Sequence, residues 1–193
     1  TDVTSLGLDY KQQENEFNDY DLQLLIPQKQ STKGTGIVKA DINGDGLEDF
    51  FVGNAAGAPA AMYFQKADGT FSKQNESLWK SEAKYEDANA LFFDADGDGD
   101  QDLYVVSAGY EIGENNPLLQ DRLYINNNGN FSKSNTLPKM LISGKSITAG
   151  DYDGDGDLDL FVGGNVIPAK YPVAPQSFLL KNNNGSFTDA TPS

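Results

Sequence analysis

The chain has 193 residues, enough for one domain with its own core, and carries 29 acidic against 14 basic side chains for a formal charge of −15. It contains neither cysteine nor histidine, which removes disulfides, thiolate metal sites, the usual zinc ligand, and both serine–histidine and cysteine–histidine catalysis. So negative a surface is a poor match for phosphate backbones, and no apolar run nears the roughly eighteen residues of a membrane span, so neither nucleic-acid binding nor membrane insertion is expected.

Residues 6–33 are the least regular part. The opening Thr1-Asp-Val-Thr-Ser5 resembles the closing Thr188-Asp-Ala-Thr-Pro-Ser193 and reads as the outer strand of a preceding repeat unit. A long connection then runs to residue 33, expected to pack Phe17, Tyr20 and Leu25 across the edge of the neighbouring blade.

From residue 36 a pattern begins that recurs twice. A short strand (36–40, 88–93, 146–150) leads into a nine-residue loop: Asp41-Ile-Asn43-Gly-Asp45-Gly-Leu-Glu-Asp49, Asp94-Ala-Asp96-Gly-Asp98-Gly-Asp-Gln-Asp102, and Asp151-Tyr-Asp153-Gly-Asp155-Gly-Asp-Leu-Asp159. Each loop places an oxygen-bearing side chain at positions one, three, five and nine and glycine at four and six. Short carboxylates on alternate residues of a loop that glycine lets curl suit a hard cation needing six to eight oxygens, which is calcium chemistry. Without an ion, so many acidic groups would repel, and three copies in register argue against a plain solvated turn. Three Ca²⁺ sites are therefore expected, each ion offsetting two negative charges, so that much of the acidity is ligand.

The EF-hand also opens with Asp at one, three and five, but it needs a bidentate Glu at twelve, where this chain has Val52, Val105 and Val162. Each loop instead runs into Asp49-Phe-Phe-Val, Asp102-Leu-Tyr-Val or Asp159-Leu-Phe-Val, segments that read as strands. A third strand (61–65, 122–126, 177–181) then meets Asp68-Gly69, Asn128-Gly129 or Asn184-Gly185, strong hairpin signals. A fourth opens at Phe71, Phe131 and Phe187. The loops recur about every 55 residues, a repeat architecture, and four antiparallel strands per unit make a propeller blade. The expected fold is all-β: three four-stranded antiparallel blades, about 34–75, 86–134 and 144–190 within a 34–193 repeat region, forming part of a larger propeller.

The run from Asp151 to Gly164 and the later Leu-Tyr-Ile-Asn-Asn-Asn-Gly-Asn-Phe131 resemble the FG-GAP (VCBS-type) repeat of integrin α-subunit propellers and secreted bacterial proteins. The resemblance spans about residues 34–193. It implies that calcium is held by the first, third, fifth and ninth residues and the seventh carbonyl: Asp41, Asn43, Asp45, Leu47 and Asp49; Asp94, Asp96, Asp98, Asp100 and Asp102; and Asp151, Asp153, Asp155, Asp157 and Asp159. Asn43 removes one charge, so the first site is expected to be the weakest.

Strand reversal puts the ion loops and hairpins on one face and the long connections on the other. Structural calcium and a recognition surface are thus expected on opposite faces, with Trp79, Tyr110, Glu111, Asn115, Asn116, Arg122 and Tyr171 as candidate contacts. The preferred reading is a non-enzymatic, secreted or cell-surface adhesion module that binds a protein or glycan, alongside further blades of the same or another chain. The alternative is a segment of a propeller enzyme acting on polysaccharide, a lyase or glycoside hydrolase, with Glu111 or Glu114 as acid and base.

Overall fold

The computed structural model describes residues 3–32 and 34–192. Among them, twelve strands form three four-stranded antiparallel sheets in simple meander order, with no closed sheet. The first blade holds β1 (Ile37–Ala40), β2 (Asp49–Val52), β3 (Ala61–Gln65) and β4 (Phe71–Gln74). The second holds β5 (Glu86–Phe93), β6 (Asp102–Ala108), β7 (Arg122–Asn127) and β8 (Asn130–Lys133). The third holds β9 (Ser143–Gly150), β10 (Asp159–Val166), β11 (Phe178–Asn183) and β12 (Ser186–Asp189). β9 starts earlier than its alternation suggested, because register shifts near Gly164 let the strand continue past an irregular stretch.

Period-two alternation makes each strand two-faced, and successive blades bury those faces against each other. Phe51 pairs with Met62, Tyr104 with Leu123, and Phe161 with Leu179, so these three pairs occupy one repeat position on the side toward the next blade. In the first blade that side meets Ala90, Leu103, Val105 and Tyr124 of the second. In the second it meets Leu160, Val162 and Leu180 of the third. Phe51 and Tyr104 are accordingly 1% and 0% exposed, whereas Phe161 is 49% exposed.

One helix was not apparent from the pattern. α2 (Glu76–Glu82) follows β4 and turns Trp79 into the seam between the first two blades, where it packs on Phe51, Tyr124 and Phe131. Its indole Nε1 donates to the Gln74 carbonyl at 3.1 Å. Trp79 is therefore a core residue and not a surface contact. Tyr110 and Arg122 are likewise buried. The Arg122 guanidinium donates to Asp87 at 2.5 Å, and Asp87 in turn accepts from the Asn54 amide at 2.9 Å, tying β7 to the first blade.

The N-terminal segment is a strap, not a strand. Thr4–Leu6 form a 3₁₀ turn, because the edge strand β4 is instead met by packing of the residues after this turn; Thr1 and Asp2 of the expected outer strand lie outside the described residues. Leu8 and Tyr10 pack on Val52 and Tyr63, and the Tyr10 hydroxyl donates to the Gly53 carbonyl at 2.5 Å. Further on, Ile26 fills the site beside Tyr110 and Val166, with Phe17 against it, while Leu25 and Tyr20 stay exposed. A short helix, α1 (Asp19–Leu22), explains the choice: buried Asp19 accepts from the Gln30 and Ser31 amides and pins the turn so that Ile26 faces inward.

The strap is also held through Glu111, which accepts from the Asn15 side chain at 2.9 Å. Glu111 lies against Glu86 of β5, and the inner Oε2 of each has no hydrogen-bond donor. Burial, then the neighbouring Glu111 carboxylate, and more distantly Glu14 and Asp87, push Glu86 up to about 8. Since the folded protein holds this proton more tightly than the unfolded chain, the contribution is complete below the ordinary value of 4.5 and is lost as pH rises through about 8. The melting temperature should thus fall by about 5 °C more in the native protein than in Glu86→Gln between about pH 5 and pH 9. Parallel thermal melts check this, and identical pH profiles refute it.

Candidate metal centre

The three loops join β1 to β2, β5 to β6 and β9 to β10. Their glycines at positions four and six all have positive φ, between 72° and 97°, the backbone that turns a nine-residue run into a cup. Position nine anchors each cup. Asp49, Asp102 and Asp159 are buried, and each carboxylate accepts two amides. One comes from position two of its own loop: Ile42 at 3.1 Å, Ala95 at 2.8 Å and Tyr152 at 3.0 Å. The other comes from the blade's third strand: Gln65, Asn126 and Asn182, each at 2.8 Å. Burial pushes Asp102 up to about 6, with the neighbouring Asp96 and Asp98 adding to the rise.

Position one organises the turn. Asp94 accepts from Gly97 and Gly99, at 2.7 and 3.0 Å, and Asp151 accepts from Gly154 and Gly156, at 2.7 and 3.1 Å. Around these, carboxylate oxygens of Asp94, Asp96 and Asp102 lie within 4.8 Å of one another, as do those of Asp151, Asp153 and Asp159. Asp96 Oδ1 is buried and accepts from no donor, so it needs a cation or a proton. The second loop's residues thus fit a calcium ion, and the third loop has the same carboxylate set.

Asp98 and Asp155 are not in these two clusters and accept from the amides of Asp100 and Asp157. At position seven the family resemblance implies a role for the carbonyl alone, but the side chains of Asp100 and Asp157 cap the hairpin, accepting from Asn128 and Asn184 at 2.9 and 2.8 Å.

The first loop differs. Asp41 accepts from Asp45 and Gly46, and the Asn43 amide donates to Asp45 at 3.1 Å while its carbonyl accepts the Asp45 N–H. A side-chain donor at position three satisfies a carboxylate that an ion would otherwise hold, which is the local effect of replacing Asp by Asn. Leu47 offers only a carbonyl at position seven.

Two functional residues went unnoticed in the sequence. Asn126 Nδ2 donates to the Ile42 carbonyl of the preceding blade's loop at 2.8 Å and to Gln101 of its own at 3.1 Å, and its Oδ1 accepts from Gly129. Asn182 repeats this with Ala95, Leu158 and Gly185. The first and second loops are thus each clamped by the blade after them. The signal was the Asn shared by Ile-Asn126-Asn and Lys-Asn182-Asn; the first blade, which has no predecessor among the described residues, carries Gln65 there. Contact is close: a Cβ on Gly129 would lie 2.7 Å from the Phe64 ring, and one on Gly185 would lie 3.0 Å from Asp96.

Asn126→Ala should cost about 3 kcal/mol, since it strands a buried carbonyl, a half-buried one and a buried amide, and lower the melting temperature by about 8 °C. A smaller loss than at an exposed control such as Asn127→Ala, measured by thermal melt, would rule the clamp out.

A scan of family models matches the FG-GAP-like repeat at residues 41–105 and again at 94–162. Each match runs from the first residue of one loop through to the second strand of the following blade, so it contains two successive loops and the seam between them. A search of curated proteins finds no match. More than half of the residues fall inside the family matches, and the chain belongs to the FG-GAP-like repeat family.

Proposed function

We propose that the protein is a calcium-stabilised extracellular binding module of the β-propeller type, non-catalytic, with structural ions on one face and recognition of a protein or glycan on the other. The observation that carries the calcium reading is the second loop, where three carboxylates converge around a buried oxygen that has no donor. Bound there, calcium would supply charge neutralisation and fix the turn between two strands; Asp94, Asp96, Asp98 and Asp102 would hold it. Sites of this kind in extracellular modules bind at about 10⁻⁴ to 10⁻³ M and would be empty at cytosolic calcium levels, which favours secretion or surface display. Among the described residues no helix is long and apolar enough to cross a membrane.

Recognition is supported by an apolar patch away from the ion loops. Gln23 donates to the Tyr171 carbonyl at 2.6 Å and accepts from the Tyr171 amide and the Tyr110 hydroxyl, both at 3.1 Å, so the N-terminal segment and the β10–β11 connection lie side by side. Leu24 and Leu25, 81% and 89% exposed, stand there with Leu22, Tyr171 and Val173. Aliphatic groups held this open favour a partner's apolar surface. The carboxylates singled out for catalysis are otherwise engaged: Glu111 with Asn15 and Glu86, and Glu114 with Lys170 at 2.7 Å.

At about ten times its Kd each ion adds about 1.4 kcal/mol, so saturating calcium should raise the melting temperature by about 10 °C over a chelator, with magnesium giving far less. A melt indifferent to calcium refutes the structural-ion reading. For recognition, arrays of glycans and of cell-surface proteins are probed in calcium. A ligand kept by the native protein and lost by Leu24→Asp/Leu25→Asp supports the patch, and one retained by that variant refutes it.

A further inference from the structure

The second and third loops carry the same acidic residues at positions one, three, five, seven and nine, yet their surroundings differ in one respect. The residue of the third strand that comes after the buried Tyr63, Tyr124 and Leu180 is Phe64, Ile125 and Lys181. In the first two blades that position is apolar and packs into the seam with the next blade. In the third, the Lys181 ammonium lies against the Asp153 carboxylate and 3.1 Å from that of Asp155. A tethered cation thus sits on two of the oxygens that would hold calcium.

The third loop also lacks, among the described residues, the clamp that closes the other two. The Ile42 and Ala95 carbonyls each accept from an asparagine of the following blade, and the Asn184–Gly185 turn lies over Asp96. Around the third loop, Tyr152 and Phe161 are half exposed instead. The second loop's buried Asp96 oxygen therefore has no donor, while Asp153 and Asp155 of the third loop already have one in Lys181.

We propose that Lys181 is an internal counter-ion of the third loop that competes with calcium, making this loop an exchangeable site beside a tightly held second one. Calcium entry displaces the ammonium from Asp153 and Asp155, so the charge beside this loop follows the calcium concentration. This rests on the calcium reading above. Like-charge repulsion at a few ångströms is large enough to matter: an ammonium left near a bound divalent ion weakens its binding by about tenfold.

The test uses terbium as probe, with calcium as competitor. Tyr152 stands at position two of the third loop, where the others have Ile42 and Ala95, so tyrosine-sensitised emission lost in Tyr152→Leu is assigned to this site. In Lys181→Met, whose unbranched side chain suits an apolar blade position, half-maximal calcium displacement of that emission should need about tenfold less calcium. Lys181→Arg should behave as the native protein, and the calcium isotherm of the second site should be unchanged in both. An unchanged third site in Lys181→Met, with ions still bound elsewhere, overturns the proposal alone. Absence of ion binding in every protein, with melts insensitive to calcium, overturns the calcium reading and this proposal with it. Lys181 is partly exposed, and far-ultraviolet circular dichroism confirms that each variant is folded.

Discussion

A buried carboxylate that must accept two backbone amides governs the local design. Asp49, Asp102 and Asp159 stand at the head of each second strand, with one amide from the loop just before and one from the third strand beyond. Removing such a group from water is unfavourable unless its lone pairs are met, so the loop must curl back and the third strand must align in one register. That requirement sets where the hairpin lies and places the remaining carboxylates around a common point. The same geometry that satisfies the aspartate therefore creates the surplus of negative charge that an ion would relieve.

Cohesion between blades has two layers. Apolar seams supply non-directional attraction: Phe51, Met62 and Trp79 against Leu103 and Tyr124, then Tyr104, Val106 and Leu123 against Leu160 and Leu180. Directional bonds fix the relative placement, through Asn126 and Asn182 on the side of the acidic loops and, on the other, through the Asn54 amide of the first blade donating to Asp87, which Arg122 holds in place within the second. An apolar seam alone would tolerate sliding, because many offsets bury similar area. A side-chain amide reaching a single carbonyl 2.8 Å away does not.

Much of this was legible in the sequence because it depends on short-range chemistry. Alternating oxygens with glycines at fixed offsets, Asn-Gly turns and β-branched runs all act within a few residues, and the loops, hairpins and strand order result from them. What was hidden depends on neighbours far along the chain. Trp79 on a connection looks the same whether it faces solvent or a seam, and Ile26 prevails over Leu25 only because Asp19 sets the phase of a turn eleven residues away from Gln30. The asparagine clamps and Lys181 fall between these cases. Comparing the repeats position by position exposes them, since Phe64, Ile125 and Lys181 share one place in the strand order while only the last carries charge.

The clamps point one way. The first and second loops are each closed by an asparagine that lies downstream, so a ribosome must finish the third strand of one blade before the loop of the blade behind it is complete. During synthesis at roughly 5 to 20 residues per second, the first loop waits for Asn126 for several seconds after Asp49 has been made. Through that interval the nascent chain carries an acidic, incompletely closed turn, and the loops close in the order in which their successors arrive. The array is in this sense a ratchet, each blade locking the one before it.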